Sequence, residues 1–192
     1  MLAFLKRLTF WHYAALAASF LVLQGITLYV MGQPGICTCG YVKLWENVVL
    51  SPGNSQHLSD WYTFSHLAHG VIFYYLLSRF APALPVGARL AVAFGVEIAW
   101  ELFENTDMII NRYRESALAQ GYVGDSILNS LMDTLAMATG FFAAWRFPVW
   151  LTVALLIGVE LFAGYMIRDN LLLNIINLLH PFDFINDWQS AK

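Results

Sequence analysis

Leu90-Ala-Val-Ala-Phe-Gly-Val-Glu97-Ile-Ala-Trp-Glu101-Leu-Phe-Glu104 is the stretch on which the fold turns. It is apolar except for three carboxylates spaced i, i+4 and i+7, and a helix puts all three on one face. An ionised carboxylate inside hydrocarbon costs several kcal/mol, about 3 on insertion scales, unless it is paired or protonated. Three on one stripe therefore demand partners, and the neighbouring segments have to supply them.

Those segments have the composition of a membrane protein. Of the 192 residues, 59% are hydrophobic and 12% are charged, with mean hydropathy +0.58. A soluble domain carries roughly a quarter charged residues. The length suits one compact membrane domain, 1–192. Net charge is -3, and no basic run points to nucleic acid. The first apolar segment is too long for a cleavable signal and lacks a small-residue cleavage site, so it is expected to remain as a helix.

Hydropathy and punctuation predict an all-α bundle of five membrane-spanning helices, at about 10–31, 61–80, 88–110, 123–145 and 149–167. A polar outer loop, 32–60, with room for a short surface helix around Val42 to Leu50, follows the first. Proline at 148 suits the first turn of the fifth helix. The tail, 169–192, spaces Asn170, Asn174 and Asn177 by i, i+4, i+7 among leucines and isoleucines. It predicts an amphipathic helix in the interface, ended at His180-Pro181. Lysines and arginines tie between the two sides. Lys6 and Arg7 beside the first helix favour a cytoplasmic N-terminus and a periplasmic C-terminus. Most of the seven tryptophans fall near predicted interfaces, as an aromatic belt would place them.

Because helices alternate direction, the start of the second, the end of the third, the start of the fourth and the end of the fifth share one side. Ser65, His66 and His69, then Glu97, Glu101, Glu104 and Asp107, then Asp125, Asn129 and Asp133, and finally Arg168 and Asp169 all fall there. Intramembrane ionisable residues face the bundle interior or a wet cavity. The expectation is a polar pocket in the outer leaflet.

Two chemistries suit it. His66, His69 and Glu97 suit a divalent metal such as zinc, which would lower the pKa of a bound water or polarise a phosphoester. Clustered carboxylates beside histidine also suit metal-free acid/base work. Glu101, Asp125 and Asp133 are the candidate catalytic carboxylates, and Arg168 is the candidate for holding an anionic head group. The partners expected are membrane lipids, with a lipid or envelope-precursor substrate for a hydrolase or transferase. The alternative is a non-catalytic membrane protein whose polar stripes form a structural network or bind a ligand or partner. Passage of protons, ions or solutes fits less well, because the opposite leaflet lacks polar residues.

Cys37-Thr-Cys39 admits a tight disulfide, two thiols, a surface metal site or a simple turn. A local turn is preferred over redox catalysis.

Ile36-Cys-Thr-Cys-Gly40, Trp45-Glu-Asn, Ser51-Pro-Gly-Asn-Ser-Gln-His57, Asp60-Trp-Tyr-Thr-Phe-Ser-His66-Leu-Ala-His69-Gly and Gly121-Tyr-Val-Gly-Asp-Ser-Ile-Leu-Asn-Ser-Leu-Met-Asp133 together resemble a family of multi-pass inner-membrane proteins, mostly alphaproteobacterial, with no assigned reaction. The resemblance spans nearly the whole chain and implies a multi-pass inner-membrane protein. More distantly, histidine at a helix start, Glu-x-x-x-Glu in the next helix, then Gly-Asp-Ser, Asn-Ser and Asp are similar to VanZ-like membrane proteins. That likeness implies an envelope- or glycopeptide-related role and names no substrate.

Overall fold

A computed structural model of the protein describes residues 2–191. All regular structure among them is helical. The elements are α1 (Leu2–Leu5), α2 (Phe10–Val30), α3 (Thr63–Phe80), α4 (Val86–Glu104), α5 (Asp107–Tyr113), α6 (Ile127–Arg146), α7 (Val149–Ile167), α8 (Leu171–Leu179) and α9 (Asp183–Ser190). Three of them, α2, α6 and α7, are long and apolar enough to cross a membrane. α3 and α4 have 18 and 19 residues but carry the polar stripes, which lowers their hydropathy.

The helix ends follow from local chemistry. Pro85 and Pro148 stand at the N-caps of α4 and α7, with φ of -62° and -64°, one position before the first turn expected for Pro148. Proline lacks an N–H that would go unbonded there. The expected helix over 88–110 is instead two. Asn105 Nδ2 donates to the Glu101 carbonyl at 3.0 Å, and the Thr106 hydroxyl to the Phe103 carbonyl at 2.6 Å. Extended Thr106 then starts α5. Similarly, α6 starts at Ile127 rather than near Val123. Gly124 sits at φ +93°, a region suited to glycine, and Ser126 caps the helix by accepting the Asn129 N–H at 3.1 Å. α3 begins two residues later than expected because the Asp60 carboxylate accepts the Tyr62 and Ser55 N–H groups at 2.8 and 2.9 Å. α8 ends at Leu179, as the His180-Pro181 pair implies, and α9 follows as a further short helix.

α3 and α6 touch backbone to backbone. A Cβ on Gly70 would lie 1.9 Å from the Met137 carbonyl oxygen, and one on Gly140 2.0 Å from that of Leu67. Small residues allow this approach in membrane-type bundles. Beside the seam, Ala93, Phe94, Ile98, Met137, Ala138 and Phe141 form the apolar core. α2 packs across α4 and α6.

The loop over 31–62 contains no helix. Around the expected surface helix, Glu46 accepts the Val48 N–H and pairs with Lys43, while its own N–H bonds to the Ser59 carbonyl. These bonds hold an irregular chain rather than a helical turn. Cys37 and Cys39 are disulfide-bonded within it. Residues 55–57 lie over the start of α6, where Ser126 bonds to the Ser55 and Gln56 carbonyls and Asn129 to that of His57. Trp61 is buried against Ala163 and Ile167, so this tryptophan is a core residue, not part of an interfacial belt.

Candidate functional site

The polar residues gather at the end of the bundle where α3 begins, α4 ends and α6 begins. They form two layers.

The deep layer centres on Glu97, which has no exposed surface. One of its oxygens lies 2.6 Å from His66 Nδ1 and the other 3.1 Å from His69 Nδ1. One helical turn further, Glu101 Oε2 accepts the Ser130 hydroxyl at 2.6 Å, and Glu101 Oε1 lies 3.3 Å from His66 Nδ1. Gln24 of α2 then donates to Ser130 Oγ at 2.8 Å and accepts from Thr134 at 3.0 Å. This chain of bonds ties α2, α3, α4 and α6 together. Gln24 was not foreseen: a single amide in an otherwise apolar helix carries no periodic signal, although its rarity in such a segment was a clue.

The outer layer walls a cavity of about 260 Å³. His66, His69, Glu104, Asp125 and Asp133 line it, with Tyr62, Tyr113, Tyr122 and Trp100. Leu171, Ile175 and Leu178 of α8 supply an apolar side. Among the described residues, no lysine or arginine lines it. Asp133 accepts the Thr63 hydroxyl at 3.1 Å, and its other oxygen lies 3.9 Å from His66 Nε2. Asp125 accepts from Asn105 Nδ2 at 2.7 Å and from the Tyr122 hydroxyl at 2.8 Å. Burial pushes the Asp125 carboxyl up to about 6, against the opposing pull of those two bonds. Burial, with Asp125 beside it, lifts the Tyr122 phenol well above its usual range. At the rim Asp169 accepts the Tyr62 hydroxyl at 3.1 Å, and burial raises it to about 7.

Of the residues singled out from the sequence, His66, His69, Glu97, Glu101, Asp125 and Asp133 converge on this end. Arg168 does not line the cavity. It caps α7 in the left-handed conformation, φ 57°, which turns the chain away. Its guanidinium donates to the Trp188 carbonyl at 2.5 Å, outside the cavity. The cavity tyrosines were missed because they arrive from a loop, from α5 and from the 121–126 connection, which have no helical period in common. Glu104 was seen on its stripe but given no role.

Two sets of ligand atoms lie close enough to share an ion: His66, His69 and Glu97, and His66, Glu101 and Glu104, each within 4.8 Å of one another. In the loop, Cys37, Cys39 and His57 are equally close, but the disulfide takes both sulfurs out of ligation.

Fold and site together define a helical protein with apolar, membrane-type helices and an acidic, histidine-bearing cavity at one end. The chain belongs to the family described as "Protein of unknown function (DUF2585)", which matches residues 28–191. It is 53% identical over 186 residues to a UPF0314 protein of Rhizobium meliloti, covering 97% of this chain and 93% of the relative. A UPF0314 protein of Agrobacterium fabrum is 54% identical over 175 residues (91% and 88%). One of Sphingopyxis alaskensis is 50% identical over 175 residues (91% and 93%). No solved structure matches. These findings bear out the alphaproteobacterial family. They do not extend to VanZ-like proteins, whose likeness stays one of scattered polar positions.

Proposed function

We propose that the chain is an inner-membrane protein of five spans, with its N-terminus cytoplasmic. On this reading its cavity, in the outer leaflet, holds a divalent metal and acts as a hydrolase or transferase on a lipid or envelope-precursor head group. One observation carries the proposal. His66, His69 and Glu97 bring three donor atoms together beside a carboxylate-lined cavity with no lysine or arginine on its wall among the described residues. Two histidines and a carboxylate suit zinc with an open position. When bound, the metal would polarise a phosphoester or activate water. The chain's own residues do the rest. Glu101, hydrogen-bonded to Ser130, lies beside Glu97 at the same nitrogen of His66 and helps fix that ring. Asp133, beside His66 and open to the cavity, is placed to take a proton. The α8 leucines shield the apolar side from water.

The deep layer also supports a second reading, a non-catalytic protein with a structural network, because Gln24, Ser130, Thr134 and Glu101 are tied to one another. Elemental analysis of protein purified in mild detergent without chelator separates the two. The metal reading expects near-stoichiometric metal in wild type and its loss in His66→Ala/His69→Ala. No metal in either protein would remove it.

A further inference from the structure

The cavity has a second polar end, away from the two histidines. There Glu104, at the last turn of α4, and Asp125, just before α6, face the space together. The rings of Tyr113 and Tyr122 stand beside them, edge to face at 5.6 Å between centroids. The Tyr113 hydroxyl donates to Asn174 at 3.1 Å and lies against Glu104. Acceptors outnumber donors here. Behind this end, Glu101 Oε1 is buried, makes no hydrogen bond and has only His66 Nδ1, at 3.3 Å, to offset it. An oxygen of Glu101, one of Glu104 and a ring nitrogen of His66 lie within 4.8 Å of one another. A buried acceptor without a donor is costly, and its natural complement is a donor or cation from a ligand.

We propose that this end is an ammonium subsite, and that the head group taken is the zwitterionic phosphoethanolamine type. The proposal rests on the head-group reading above and names its substrate class. Carboxylates flanked by aromatic rings suit an organic cation, which gains from charge and from the ring faces. A primary ammonium also brings three N–H donors, enough for Glu104 and Asp125, the carboxylates that line this end. A quaternary ammonium brings none and leaves those carboxylates without a hydrogen bond from the ligand. The phosphate of the same head group then falls toward His66 and His69, the end that would carry the metal. A cavity of about 260 Å³ accommodates a head group and not a whole lipid. The acyl side is met by Leu171, Ile175 and Leu178 of α8, a helix that also exposes Leu172 and Leu179.

The experiment is calorimetric titration of the purified, metal-analysed protein with phosphoethanolamine, phosphocholine, glycerol 3-phosphate and free ethanolamine. The expected result is binding of phosphoethanolamine at least tenfold tighter than of the other three. Glu104→Gln and Asp125→Asn should each erase most of that preference while metal content holds and the protein still unfolds in one cooperative transition. Should a variant fail to fold, the wild-type ranking still decides. Equal binding of glycerol 3-phosphate or phosphocholine overturns the ammonium subsite. Equal binding of free ethanolamine overturns the head-group assignment. The two proposals fail separately. Metal without amine preference leaves the metal site and removes the subsite, and amine preference without metal does the reverse. A second arm places the protein in nanodiscs of phosphatidylethanolamine or of phosphatidylglycerol. Competition against soluble phosphoethanolamine only in the former supports the lipid as its source, and equal competition in both counts against it.

Discussion

The deep and outer layers of the polar cluster use the same residue types to different ends. In the deep layer nearly every polar atom has a protein partner: Glu97 takes two histidines, and Glu101, Ser130, Gln24 and Thr134 run in series. In the outer layer Glu104, Asp125 and Asp133 also have partners, yet each keeps a side on open space. Burial alone does not mark a functional carboxylate, since Glu97 and Asp133 are both buried. Access to a cavity is what separates them. The bonds of the deep layer fix helix register, and the open sides of the outer carboxylates are free to meet a ligand.

The largest effect should come from the deep layer. Glu97→Ala leaves two imidazoles without their carboxylate, and removing one partner of a buried pair costs about 3–5 kcal/mol. Thermal unfolding in detergent should show a collapse of stability as well as loss of metal. An unchanged melting temperature would break the distinction between layers. Next, Gln24→Leu removes the acceptor of the Thr134 hydroxyl at a cost of about 1–3 kcal/mol, while Ser130 keeps its bond to Glu101 and metal is retained.

Asp125→Asn tests the outer layer. The Asp125 carboxyl is raised to about 6 from an ordinary 3.8. Between those values the folded state binds more protons than the unfolded one. Stability therefore falls as pH rises from about 4 to about 6 and is level in this respect above that. Asp125→Asn should remove that slope in melting curves taken across the range. Phosphoethanolamine binding should strengthen through the same window as Asp125 ionises, its neighbours being Tyr122, Asn105, Glu104, His66 and Asp60. A flat binding profile would contradict the role given to this carboxylate. The smallest effect belongs to Arg168→Ala, which loses one bond to the Trp188 carbonyl. It should cost about 1 kcal/mol or less and leave both metal and ligand binding unchanged.

Much of this was legible beforehand. Helical spacing put Glu97, Glu101 and Glu104 on one stripe, and alternation of helix direction brought them to His66, His69, Asp125 and Asp133. What escaped depended on breaks in period. Asn105 and Thr106 end a helix that hydropathy alone would continue, and so Tyr113 swings into the cavity wall. Arg168 looked like a cavity cation until the left-handed turn at that residue carried it away. Gln24 was silent because one polar residue makes no pattern.

The glycine seam bears on transport. Moving a solute across by exposing one face and then the other requires elements to slide or rock past each other. Gly70 and Gly140 set carbonyls of α6 and α3 where even a methyl group has no room, so these two helices are keyed together like the halves of a dovetail joint. His66 and His69 lie within one turn of Gly70, and Asp133 two turns before Gly140. The histidines and Asp133 thus ride on a single rigid block, and any opening of the cavity has to come from its other walls, α4, α5, α8 and the loops around them.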